Sequence, residues 1–177
     1  ELCILKGIAR LLDKYYNTGR FDHSIEYLNK LFKRPFDFYS AFYGYCNAKG
    51  LFRIRHSLKS RYDILYNFAG SLGVNVELLR DMVKFDFMLT SGKGAMPECV
   101  EPIETRDFLN KAKSHVYNEK WLKENLPQAM SMSGREMSKQ MSYGLFRYDV
   151  PHNTKKRKKG IVFLHQEGEK HYAEFNL

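Results

Sequence analysis

The residues able to do chemistry are few enough to weigh one by one. The chain has six histidines and three cysteines. No two histidines stand at the i, i+4 spacing that sets two metal ligands on one helix face. Cys3, Cys46 and Cys99 lie too far apart in sequence for a zinc, iron–sulfur or redox motif, and read as reduced thiols. Ser91-Gly92-Lys93-Gly94 looks faintly like a phosphate loop. It lacks the preceding strand, the earlier glycine and the hydroxyl residue after its lysine, so it reads as an ordinary loop. Asp86 falls between Phe85 and Phe87 on an apolar helical stretch. A buried carboxylate there needs a partner, with Arg61 and Arg80 the candidates. Without a second carboxylate beside it, a structural ion pair or an exposed Asp is the more economical reading than a general acid. No Ser/His/Asp or Cys/His constellation can be assembled.

The sharpest charge feature is Lys155-Lys156-Arg157-Lys158-Lys159. Between two predicted strands, it should form the tip of a hairpin loop. Its cations are candidate anion contacts, and phosphates are what they would meet. No aromatics alternate with them, however, and a run of like charges is by default a solvated loop. The other candidates cluster around Lys14-Tyr15-Tyr16-Asn17-Thr18-Gly19-Arg20-Phe21-Asp22-His23, where aromatics, bases, an acid and a histidine surround a turn tripeptide.

The elements that must position these residues follow from periodicity. Ile4, Ile8, Leu11 and Tyr15 predict a helix over about 2–16, stopped by Asn17-Thr18-Gly19. Asp22 is placed to cap a second helix carrying Ile25, Leu28 and Leu31. Pro35 opens a third, aromatic on nearly all sides and closed by Gly50, which should be central. Ser57 or Ser60, Asn75, Thr105, Asn118 and Ser133 are the caps of those that follow. The pattern then turns to β, with predicted strands at 143–150, 161–165 and 170–177. Centring the last turn on Gly168-Glu169 pairs Leu164 with Ala173 and Val162 with Phe175, on one face with Leu177. It sets His165 opposite Tyr172 and His171 opposite Gln166, so the two histidines point to opposite faces and share no metal.

The expected fold is therefore mainly α: a bundle of antiparallel helix pairs over 1–140, then a small three-stranded antiparallel sheet over 141–177, packed as one unit. At 177 residues, 44% hydrophobic and 15% aromatic, the chain can bury a full core and is not disordered. The net charge of +9 suits an acidic partner or a solvated surface. There is no apolar run of bilayer length and no signal peptide, so a cytoplasmic location is expected. The opening Glu1-Leu2-Cys3 has no initiator Met and enters a helical pattern at once, as a domain cut from a longer polypeptide would.

Several short motifs recur in a familiar order. They are Tyr15-Tyr16-Asn17-Thr18-Gly19-Arg20-Phe21, Pro35-Phe36-Asp37-Phe38-Tyr39 and Arg61-Tyr62-Asp63-Ile64-Leu65. Phe85-Asp86 with Pro97 after it follows, and then Tyr148-Asp149-Val150 before Ile161-Val162-Phe163. In this order the chain resembles the C-terminal domain of unknown function of cobalamin-binding radical SAM proteins. These are named as iron–sulfur oxidoreductases or relatives of the anaerobic magnesium-protoporphyrin IX monomethyl ester cyclase.

The resemblance implies an N-terminal cobalamin-binding domain and a radical SAM barrel in the same polypeptide as partners. The [4Fe–4S] cluster, S-adenosylmethionine and cobalamin would all belong to those domains. The Cys-x3-Cys-x2-Cys cluster motif is absent here, and no catalytic, cofactor-binding or metal-binding role transfers to any position of this chain. The expectation is a non-catalytic accessory domain that packs on the barrel and shapes or covers its substrate site. Tyr16, Arg20 and Tyr39 are the candidate interdomain or substrate-facing residues. An exposed apolar patch could also dimerise the isolated chain. The competing reading is a nucleic-acid-binding module using Lys155–Lys159, with nucleic acid the less favoured partner.

Overall fold

The computed structural model describes residues 2–92, 94–166 and 169–177. Helices occupy the chain as far as Gln140 and a three-stranded antiparallel sheet follows, in the order β1-β2-β3, as the periodicity predicts. The helices are α1 (Leu2–Leu11), α2 (Asp22–Asn29), α3 (Pro35–Ala48), α4 (Leu58–Gly70), α5 (Val76–Ser91), α6 (Arg106–Val116), α7 (Glu119–Asn125) and α8 (Gly134–Gln140). The strands are β1 (Met141–Tyr148), β2 (Lys156–Gln166) and β3 (Glu169–Phe175). No helix of the described residues is long and apolar enough to cross a membrane. The chain divides into two compact units, one running to Asp86 and including Pro97–Cys99, the other holding Phe87–Met96 and Val100–Leu177.

In the first unit, α1 passes into a single π-helical turn, Leu12–Tyr16, in which the Asn17 amide donates to the Leu12 carbonyl at 2.9 Å. Gly19, at φ +60°, takes the left-handed conformation that ends the segment. The core is built from rings. Tyr15 lies 4.8 Å from Phe21 and 4.9 Å from Phe42, Phe21 lies 4.2 Å from Tyr62, and Phe42 stacks on Phe68 at 4.7 Å. α1 approaches α3 so closely at Gly7 that a Cβ there would fall 2.1 Å from the Tyr43 ring.

Most of the expected caps are present: Ser57, Asn75, Thr105, Asn118 and Ser133 each accept from an amide of the following first turn, and Ser133 with Glu136 forms a full capping box. Asp22 is different. Phe21 is the N-cap residue of α2, Asp22 is already helical, and the free amides are met from elsewhere in the unit.

In the second unit, one face of the sheet packs against α6, α7 and α8 around Phe108, Val116, Leu122, Met137, Val162 and Phe175. Val162, Leu164, Ala173 and Phe175 share this face as expected, but the β2–β3 register is slid by two residues. Val162 pairs with Ala173, Gly160 with Phe175, Leu164 with His171 and His165 with Lys170. The two histidines still face opposite ways. The slide keeps every side chain on its face, because strand side chains alternate with period two, and it places the Phe175 ring over Gly160. A Cβ at Gly160 would lie 2.4 Å from that ring, so only glycine leaves room for it. Phe175 ends the strand, and Leu177 lies beyond it, 46% exposed, rather than joining the apolar face. Of the turn expected here, Gly168, like Glu167 before it, is outside the described residues.

Lys155–Lys159 is not a loop tip. The tip is Pro151–Thr154, where the amides of His152, Asn153 and Thr154 all donate to the Asp149 carbonyl and Thr154 takes φ +56°. Lys156 already pairs with Tyr148 and Lys159 with Phe146, across a register shift, so Lys156–Lys159 open β2 and Lys155 stands just before it. The turn closes early because Asp149 gathers its amides; like charge alone did not reveal that.

Candidate functional site

The motifs of the first unit are tied to one another by hydrogen bonds. The Tyr62 hydroxyl donates to the Arg20 carbonyl at 2.5 Å, and the Tyr15 hydroxyl to the Arg61 carbonyl at 3.3 Å. Asp63 accepts from the Cys99 amide at 2.8 Å. Asp86, only 2% exposed, accepts from the amides of His23 (3.1 Å) and Ser24 (2.9 Å), from the Ser24 hydroxyl (2.7 Å) and from His23 Nδ1 (2.8 Å). It therefore caps α2 from α5. These hydrogen bonds come from the start of α2. A carboxylate at a helix N-terminus meets free amides and the positive end of the helix dipole, so it can be buried charged.

His23 and Asp86 form the pair closest to a general base. Burial works to lower the His23 pKa, but the hydrogen bond and charge of Asp86, helped by Asp22 and Glu26, outweigh it and raise the pKa above its ordinary value. An imidazole so held favours its cationic form. The imidazole edge packs on Phe85, ring centroids 4.7 Å apart, and the neighbouring grooves are lined by other residues. The pair is thus a clasp between helices.

A real concavity lies nearby. Ile8, Leu12 and Tyr16 from the first helical segment meet Asn29, Pro35, Phe36 and Tyr39 around an apolar groove of about 460 Å3. Tyr16 is 62% exposed and Phe36 51%, while Tyr39 is buried. Two buried polar atoms here, Asn29 Oδ1 and the Tyr39 hydroxyl, have no hydrogen-bond partner among the described residues. Burial, then the neighbouring Tyr16, pushes the Tyr39 phenol up to about 12, so it stays a neutral donor. Of the three candidate interdomain residues, Tyr16 and Tyr39 therefore share one groove. Arg20 is not in its lining, and holds Tyr62 by its backbone. The sequence offered no signal for Asn29 or Leu12, which reach the groove only through the way the helices cross.

In the second unit, Asp149, His152 and Glu174 bring their ligand atoms within 4.8 Å of one another, the spacing of a metal cluster. Lys159 already stands among them. Its ammonium lies 3.3 Å from Asp149 Oδ2 and makes a close ion pair with Glu174, while His152 Nε2 is 2.5 Å from Glu174 Oε1. Burial acts to lower the Lys159 pKa, and the hydrogen bonds to Glu174 and Asp149 more than reverse it. The lysine supplies the positive charge that a metal would bring, and the three groups form a salt-bridge network around it.

The cysteines do not gather: Cys3 is exposed, Cys46 buried and Cys99 half-buried. Burial pushes the Cys46 thiol up to about 12 and, with Asp63, raises Cys99 as well, which keeps both protonated and unreactive. Nothing in their placement fits an iron–sulfur cluster. Lys93 of the phosphate-loop-like stretch lies outside the described residues; Ser91 ends α5 and Gly92 follows at φ +66°.

No curated protein and no solved structure matches the chain. A family model described as Protein of unknown function (DUF4080) covers residues 1–163. Every motif tied together in the first unit, and most of the sheet, falls inside that span, and the chain belongs to this family.

Proposed function

We propose that this chain is a non-catalytic accessory domain of a cobalamin-binding radical SAM protein, packing by its apolar groove on the radical SAM barrel and covering the substrate site. The observation that carries the reading is the groove between Tyr16, Phe36 and Tyr39. Apolar side chains left this exposed gain about 25 cal/mol for each Å2 they bury, and the unpaired Asn29 Oδ1 and Tyr39 hydroxyl supply polar groups that a covering surface would satisfy. Membership of the family and the motif order support it from the sequence side. Radical chemistry needs a wall against water and stray hydrogen donors, and an apolar face with fixed polar groups suits that task. The [4Fe–4S] cluster, S-adenosylmethionine and cobalamin belong to the other domains of such a protein.

Two observations test this. The reading frame upstream of Glu1 should encode Cys-x3-Cys-x2-Cys; a start codon directly before Glu1 overturns the reading. In the intact polypeptide, Tyr16→Asp with Phe36→Asp should make limited proteolysis between this domain and the barrel at least tenfold faster. An unchanged cleavage rate would place the interface elsewhere. The same pair of substitutions should convert any dimer of the isolated chain to monomer, read by light scattering.

A further inference from the structure

The second unit carries a groove of different character, about 390 Å3 in volume, at the end of the sheet where β3 stops and β2 continues. Beyond Gly160 the first residues of β2 pair with β1 alone, so their other edge is open. Arg157 and Lys158 line the groove from this open edge, and Trp121 and His115 line it from α7 and α6. The two rings lie 5.5 Å apart, and His115 also lies 5.0 Å from Phe175. Asn125 and Asn176 add to the polar lining, and the Asn125 Nδ2 donates to the Trp121 carbonyl.

Charge settles what this groove attracts. Glu174 lies in the lining, but Lys159 and His152 hold its carboxylate. Arg157 and Lys158 have no acidic partner among the described residues and are exposed, as is Lys155 just before them. The groove is therefore net cationic beside a face of aromatic rings. Cations to follow a phosphate backbone and a ring on which a base can stack are the two requirements of a single-strand binder, and this lining holds Arg157 and Lys158 together with the Trp121 ring. In sequence the aromatics were missing from the lysine run. The fold brings them from helices that precede it.

We propose that this groove binds single-stranded nucleic acid, one base stacking on Trp121 beside His115 while the flanking phosphates meet Arg157 and Lys158. Its volume takes one nucleotide, and the exposed cations before it carry the strand onward. A duplex offers no free base face to the rings and is the poorer ligand. The proposal is independent of the accessory-domain reading, since it rests on the other unit.

Trp121 is the single tryptophan of the chain, so fluorescence excited at the red edge, where the 12 tyrosines do not absorb, reports this groove. The 177-residue chain is titrated at low salt with a ten-nucleotide oligouridylate, with its abasic counterpart and with polyglutamate. The oligouridylate should quench the fluorescence and bind at least tenfold more tightly than either control. Arg157→Ala with Lys158→Ala, both exposed and checked for folding by circular dichroism, should weaken binding at least tenfold. Two lost phosphate contacts should also reduce the slope of log K against log salt by about 1.4. Trp121→Ala, followed by anisotropy of a labelled strand, should cost about tenfold. Equal binding of the abasic strand would reduce the site to phosphate attraction, equal binding of polyglutamate would make it an acidic-peptide site, and no quenching would leave it without a base. Each of these outcomes overturns the proposal.

Discussion

Asp86 and Asp149 are buried almost equally, 2% and 3% exposed, and each has a histidine close to its network, yet they are stabilised by different physics. Asp86 accepts from two amides, a hydroxyl and an imidazole of one helix start. Asp149 is met by an ammonium through Oδ2, while its Oδ1 has no hydrogen bond among the described residues, and its backbone carbonyl gathers three amides of the turn. In the first unit the acid's acceptors meet two backbone amides that cannot move away, with the Ser24 hydroxyl and the His23 imidazole beside them. In the second the charge is balanced by a long side chain that can move away. The lesson is that a buried acid followed by a histidine in space is not a catalytic signature by itself. Its partners say whether it closes a corner or balances a cluster.

The contrast can be broken in order of expected effect. Asp86→Ala leaves four donors at the start of α2 without their acceptor, and should cost about 3–4 kcal/mol in urea unfolding; Asp86→Asn, which keeps an acceptor, should cost about half. Lys159→Met removes the shared cation from Asp149 and Glu174 and should cost about 2 kcal/mol, since solvent reaches part of the cluster. Hydrogen exchange should place the first loss at α2 and the second at the turn after β1. Equal protection loss in both regions would dissolve the distinction.

His23 gives a smaller effect with a definite sign. Its folded pKa lies above the unfolded value of about 6.5. Its contribution to stability is therefore complete below about pH 6.5 and disappears as the pH rises through the higher folded pKa. His23→Gln should accordingly destabilise the protein at pH 5.5 and matter progressively less above neutrality. A gap that widens with pH would reverse the assignment. The least effect is expected for His152→Gln, exposed and at the rim of its cluster, at about 0.5 kcal/mol or less.

The sequence was readable wherever a local rule decides. Ser57, Asn75, Thr105, Asn118 and Ser133 cap helices because a short side-chain oxygen reaches the next amides with no help from the rest of the chain. Asp22 misled for the same reason: its type fits a cap, but Asp86 already occupies those amides from α5. The hairpin face was legible from alternation, and its register was not, because two slides that differ by two residues present identical faces. The contact between Phe175 and Gly160 made the choice.

The candidate sites follow the same division. Tyr16 and Tyr39 were nominated from motifs and do share a groove, whereas the rings that line a groove with Arg157 and Lys158 were invisible, since Trp121 and His115 stand more than thirty residues earlier. Composition, periodicity and motif order determined on their own that this is a helical chain ending in a small antiparallel sheet, and to which kind of domain it is similar. Only the tertiary structure decided which polar groups meet. Periodicity is a property of neighbours along the chain, while a buried charge or a stacking ring takes its meaning from whatever the fold carries to within a few ångströms.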